Sequence, residues 1–164
     1  MNIAKYKKII EKKTNPDLAK YYRIIIKRFT DEVNENYKAD IQIVISLIKK
    51  EWMKRLDEEG SSSGKPSEGI MSTMGYRVGD TQGIKKEYRQ LILLEILKGP
   101  LPFVDSPSYM REWGADSSIM RFNKLKRFFN GEINSPLQRN NHRAITEWKN
   151  DLAWLENIGP SYIN

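Results

Sequence analysis

The chain has 164 residues, 39% hydrophobic and 30% charged, a composition typical of a folded protein with one ordinary domain or two small ones. It has no cysteine and one histidine, which excludes disulfides, thiolate chemistry and zinc sites built on cysteine. The sequence contains no run of about 18 apolar residues and no signal-peptide core, so we expect a cytoplasmic protein without a membrane span. The net charge of +7 favours a polyanionic partner such as nucleic acid, and we expect neither a metal nor a cofactor.

Residues 1–59 predict a basic, amphipathic helical segment. Thr14 or Asn15 can cap a helix, and Pro16 suits its first position. Lys20, Arg23 and Lys27 form a basic stripe, for which a solvated helix face is the simpler interpretation and a phosphate or partner contact the alternative. Apolar residues recur at spacings of three and four, broken near residues 34–40, which predicts a helical hairpin: Leu18, Tyr22, Ile25, Phe29, Val33, Tyr37, Ile41, Val44, Ile48 and Trp52.

A stretch rich in Gly, Ser and Pro follows, and residues 60–68 of it predict a flexible linker. Residues 69–164 then predict a compact domain of four or five shorter helices, so the fold class is all-α throughout. Trp148, Leu152, Leu94 and Phe122 should share one core, because each lies on the apolar face of its own helix. The last helix should cover about residues 140–158. Glycine, proline and small polar residues mark the ends of the other helices: Gly75, Gly99, Pro100, Asp105 or Ser106, Pro107, Gly114, Asp116 or Ser117, and Gly131.

The segment "GIMSTMGYRVGDTQGI", residues 69–84, places three glycines between two predicted helices. A phosphate-binding loop requires a preceding buried strand, which is absent from the pattern. A DNA-reading helix-turn-helix uses a shorter turn of three or four residues. We therefore interpret the segment as a structural connector in which Tyr76 and Val78 pack inward and Arg77 is free to bind.

The helix within "SSIMRFNKLKRFFNG" carries four basic residues and no acidic one. We expect Arg121, Lys124 and Arg127 to face solvent with Phe128 beside them, opposite a core-facing row of Phe and Leu side chains. A basic surface that includes an aromatic ring suits phosphate contact combined with base stacking. The alternative is a solvated face with Phe128 half-buried.

No catalytic arrangement is evident in the sequence. "NPD" at 15–17 and "EWK" at 147–149 imitate parts of a restriction-nuclease motif, but both lie in predicted helices, more than 130 residues apart. His142 has no local nucleophile or orienting carboxylate, so we interpret it as a surface or capping residue. We expect a protein that is not an enzyme.

The pieces "MGYRVGDTQGI", "LPFVDSPSYMREWG", "SSIMRFNKLKRFF" and "AITEWKNDLAWLE" resemble, in this order, a small uncharacterised helical domain of bacteria and phages. The resemblance covers residues 69–156 and implies one evolutionary unit with no catalytic residues. Together with the charge, it favours a non-enzymatic binder of nucleic acid or of a nucleic-acid-handling enzyme, in a phage, mobile-element or defence setting. A protein-directed inhibitor or adaptor without nucleic-acid affinity is the alternative.

Overall fold

A computed structural model describes residues 3–58, 69–102, 104 and 106–163. Within these ranges all regular structure is helical and no strand occurs, which confirms the predicted all-α class; no described helix is long and apolar enough to cross a membrane. The predicted linker at 60–68 lies outside the described residues. The α-helices are α1 (Ile3–Glu11), α2 (Asn15–Asp31), α3 (Glu35–Glu58), α4 (Ile70–Thr73), α5 (Lys86–Lys98), α6 (Pro107–Arg111), α7 (Ile119–Ile133) and α8 (His142–Ile158), and short 3₁₀ turns cover Pro136–Gln138 and Gly159–Tyr162.

The chain divides into two compact units that interleave along the sequence. The first comprises Met1–Gly75 and Pro100–Tyr109, and the second comprises Tyr76–Gly99 and Met110–Asn164. The N-terminal helices therefore pack with α4 and with the stretch that follows α5. The sequence analysis instead placed both of these segments in the domain after the linker.

The first unit is built on the antiparallel pair α2 and α3. Thr14 caps α2, accepting a hydrogen bond from the Asp17 amide (3.3 Å), and the predicted break appears as a short turn before α3. The Tyr22 and Trp52 rings meet across the pair with centroids 4.9 Å apart. The fully buried side chains show that the predicted amphipathic stripe forms this core: Leu18, Tyr22, Ile48 and Trp52.

Within the first unit, one hydrogen bond joins the α4 segment to the segment 100–109, and another joins the α4 segment to α2. The Ile70 amide donates to the Tyr109 hydroxyl (3.2 Å), and the Arg23 guanidinium donates to the Thr73 carbonyl (2.9 Å). Gly75, predicted to mark a helix end, follows α4 with a φ of 89°, the left-handed conformation that glycine commonly adopts there. The aliphatic part of the Arg23 side chain lies directly against this glycine.

The second unit contains α5, α7 and α8, and its core is only partly the predicted one. Trp148 and Phe122 are buried as expected, with 6% and 7% of their surface exposed, but Leu94 and Leu152 are only half-buried. On α8 the buried face instead runs through Asp151, a position at which the sequence favours a surface residue because carboxylates are seldom buried. The fully buried apolar residues are Leu93, Ile96, Leu97, Trp113, Leu125, Phe129, Ala144 and Leu155.

Candidate functional site

Helix α7, which carries the predicted basic surface, begins and ends differently from the sequence prediction. Ser118 rather than Asp116 or Ser117 caps it, accepting a hydrogen bond from the Arg121 amide (3.2 Å). At the other end the helix continues through Gly131 to Ile133, because a glycine in an exposed last turn weakens a helix without stopping it. The additional residues lengthen the exposed face of α7.

The prediction that Arg121 faces solvent is wrong, because its side chain is 5% exposed. Its guanidinium donates to the carbonyls of Ile96 (3.2 Å), Gly99 and Gly114 (2.7 Å). Ile96 and Gly99 lie at the end of α5, where helix carbonyls lack intrahelical donors. Burial lowers the pKa of Arg121 to about 10. Arg121 therefore ties three segments of the second unit together, and a cation there cannot reach a polyanion.

The solvent-facing side of α7 carries a stripe formed by Met120, Asn123, Arg127 and Asn130, all of them exposed. Their spacings of three, four and three residues place them on one face of the helix. They line a surface depression of about 450 Å³ together with Lys126. We call these four residues the α7 stripe. It keeps Arg127 of the predicted site and adds two amide side chains that the sequence analysis did not single out.

Lysines flank the α7 stripe on its two sides. Lys124 forms an ion pair with Glu112, and Lys126 forms one with Glu156 (2.7 Å). Both carboxylates are well exposed, at 58% and 46%, so each is a surface ion pair that contributes only about 0–1 kcal/mol to stability. An incoming phosphate could therefore replace either carboxylate at small cost.

Phe128, predicted to accompany the cations, is half-buried. Its ring makes edge contacts with Tyr76 and Phe129, at centroid distances of 6.4 and 5.5 Å. Aromatic pairs of this geometry stabilise a core, so most of this ring is committed to packing within the second unit.

The remaining predicted residues lie elsewhere. Lys20 and Lys27 are exposed on α2 in the first unit, but Arg23 between them donates to the Thr73 carbonyl and is half-buried, so the predicted basic stripe is interrupted. Arg77 is also half-buried, and it donates to the Tyr76 carbonyl (2.9 Å), so the expectation that it is free is wrong.

The loop over residues 76–84 is held by buried charges. Tyr76 donates its hydroxyl hydrogen to Asp151 (2.6 Å), and Arg89 donates to the same carboxylate (2.6 Å) and to the Ile84 carbonyl (2.8 Å). Glu147 accepts a hydrogen bond from the Gly79 amide (2.8 Å). The network joins the loop to α5 and α8, which agrees with the predicted structural connector. Tyr76 is buried as expected, whereas Val78 is half-buried.

Electrostatics in this network follow from its burial. Burial, and then the adjacent Asp151 carboxylate, raises the pKa of Tyr76 far above its ordinary value. Burial alone would lower the pKa of Arg89, but hydrogen bonding to Asp151 and the charges of Asp151 and Glu147 raise it. The raised pKa keeps Arg89 positively charged, and the network serves to fix the loop. Among the described residues, no three His, Asp or Glu side chains form a group that could hold a metal ion.

Comparison with protein-family models, curated proteins and solved structures finds no match to this chain. The resemblance to a small bacterial and phage domain therefore stays a prediction. The residues that carry it now have a physical role, because Tyr76, Gly79, Glu147 and Asp151 belong to the buried network that holds the loop.

Proposed function

We propose that this protein is a non-enzymatic nucleic-acid-binding protein that contacts duplex DNA through the α7 stripe. The observation that carries the proposal is the chemistry of this exposed helix face. Arginine pairs in bidentate fashion with the edge of guanine, and asparagine with the edge of adenine, whereas a methionine can contact the thymine methyl group. Arg127, Asn123, Asn130 and Met120 are of these types and share one face.

The dimensions and charge around the α7 stripe support the same partner. A 15-residue helix is about 22 Å long, and an α-helix fits the major groove of B-form DNA. Lys124 and Lys126 flank the stripe, where the two phosphate backbones that border a groove would pass. No acidic residue of α7 precedes Glu132, and the net charge of +7 attracts a polyanion at long range.

The experiment is fluorescence anisotropy with a labelled duplex across a salt series. If Arg127 contacts a base, we expect Arg127→Ala to weaken binding about 5–10-fold. If Arg127 contacts a phosphate, the same variant should reduce the slope of log affinity against log salt by about 0.9. Asn123→Ala should weaken binding to a preferred duplex and leave the salt slope unchanged, because an amide carries no charge. Thermal stability should hardly change, since alanine is a good helix former at an exposed position.

Lys86→Ala is the matched control, because it removes one exposed cation from α5 and leaves α7 intact. A Lys86→Ala effect equal to that of Arg127→Ala would show that binding depends on total charge and not on the α7 stripe. No binding by the unmodified protein at low salt would overturn the proposal and leave a protein-directed inhibitor or adaptor as the better interpretation.

A further inference from the structure

A groove in the first unit lies where three helices of unequal length meet. Helices α1, α2 and α3 have 9, 17 and 24 residues, which corresponds to lengths of about 14, 26 and 36 Å. Arg55, near the end of α3, donates to the Ile10 carbonyl (3.4 Å) and to the Asn15 side chain (2.9 Å), which places the end of α1 and the start of α2 at that end of α3. Helix α1 is too short to cover the half of α2 and α3 next to their connecting turn.

This half, which no other described helix covers, forms a groove of about 820 Å³. Its floor is apolar: Ile25 and Val44 are 5% and 3% exposed, and Ile41 is half-buried. Tyr37 stands at its edge with 63% of its surface exposed, and Ile9 of α1 closes the other end with 37% exposed. An apolar floor with large exposed side chains at the edge is typical of a site for a partner's apolar side chains.

Charges are distributed unequally around this groove. Asp31 and Glu32, from the last turn and end of α2, and Asp40, from the start of α3, line it near the connecting turn. The basic lining residues are Lys5 of α1 and Arg28 of α2. Three carboxylates against one arginine, Arg28, at this end favour a cationic group on whatever lies there.

We propose that this groove binds an amphipathic α-helix of a partner protein, with a basic residue at the helix end nearest Asp31, Glu32 and Asp40. Helix α1 packs against one half of α2 and α3, and the groove lies beside the other half. The groove therefore has the width and direction of a helix packed against α2 and α3. Apolar side chains on one face of the partner helix would rest on Ile25, Ile41 and Val44. This inference does not depend on the α7 stripe, which belongs to the second unit.

The experiment uses a displayed library of helical peptides of about 14 residues, selected against the full chain. Leucine occupies every third or fourth position of each peptide, and the other positions are drawn from alanine, lysine and glutamate. We expect the selected peptides to carry lysine at one end. Ile41→Glu, which places a charge on the groove floor, should weaken the selected peptides at least about tenfold.

Ile43→Glu is the matched control, because Ile43 is 39% exposed on the same helix and does not line the groove. Tyr37→Ala should also weaken binding, and its exposure means that the variant remains folded. Asp40→Lys should shift the selection from lysine toward glutamate at the peptide end. Failure to enrich any peptide, equal binding by Ile41→Glu and Ile43→Glu, or an unchanged preference in Asp40→Lys would overturn the proposal.

Discussion

Replacing Arg121 by methionine tests whether this arginine is a structural residue of the second unit. Methionine keeps a similar length but removes the donors to the Ile96, Gly99 and Gly114 carbonyls. Each buried carbonyl left without a donor costs about 1–3 kcal/mol, so three give an upper figure of about 3–9 kcal/mol. Removing a buried cation offsets part of this loss, and we expect the free energy of unfolding to fall by about 3–5 kcal/mol.

The assay is urea unfolding followed by circular dichroism and tryptophan fluorescence, with Arg127→Met as the control. Both substitutions remove one arginine from α7, but Arg127 is exposed, so its replacement should change the free energy of unfolding by less than about 0.5 kcal/mol. Equal stability of the two variants would refute the assignment of Arg121 to the core. An Arg121→Met protein of normal stability with reduced DNA affinity would restore the earlier expectation that Arg121 contacts phosphate.

Two further predictions concern Tyr76 and Gly131. Because the pKa of Tyr76 is raised in the folded state, its contribution to the free energy of unfolding is complete below about pH 10, the pKa of an unfolded tyrosine, and falls above it by up to about 1.4 kcal/mol per pH unit. Urea unfolding between about pH 9 and about pH 11 should show a shallower fall for Tyr76→Phe, and parallel curves would contradict the buried hydrogen bond to Asp151. Gly131→Ala should raise stability by about 0.5–1 kcal/mol, because a Cβ at Gly131 meets no heavy atom within 4 Å. Thermal melts measure the change, with Gly159→Ala as the control. A Cβ at Gly159 would collide with the Phe122 ring, so this variant should be less stable than the unmodified protein. No gain in stability for Gly131→Ala would mean that α7 ends before residue 131.

Several boundaries of the fold follow from local sequence signals. Thr14 caps α2, Gly75 adopts a left-handed conformation after α4, and α5 ends before Gly99. Ser106 accepts a hydrogen bond from the Tyr109 amide at the start of α6, as the predicted cap (3.4 Å). These features depend on neighbours within about four residues, so the residue types alone were sufficient to predict them.

The errors in the predicted site share a different physical cause. Arg121 was expected at the surface because an isolated charge is costly to bury, and Asp151 is a second buried charge, which the sequence analysis did not single out. Their partners lie far away in sequence: Ile96 is 25 residues from Arg121, and Arg89 is 62 residues from Asp151. Burial becomes favourable only when such distant donors and acceptors meet, which the pattern along one helix does not reveal.

Amphipathic periodicity and helix caps by themselves determined the all-α class, the α2–α3 pair and most helix ends, because both are properties of residues one turn apart. The tertiary structure decided which cations are structural. It committed Arg121 and Arg89 to buried acceptors and left Arg127 between Asn123 and Asn130 on an exposed face. It also decided that residues 100–109 pack with the N-terminal helices. These outcomes depend on which surfaces meet in space, and the chain specifies that only through the sum of its long-range contacts.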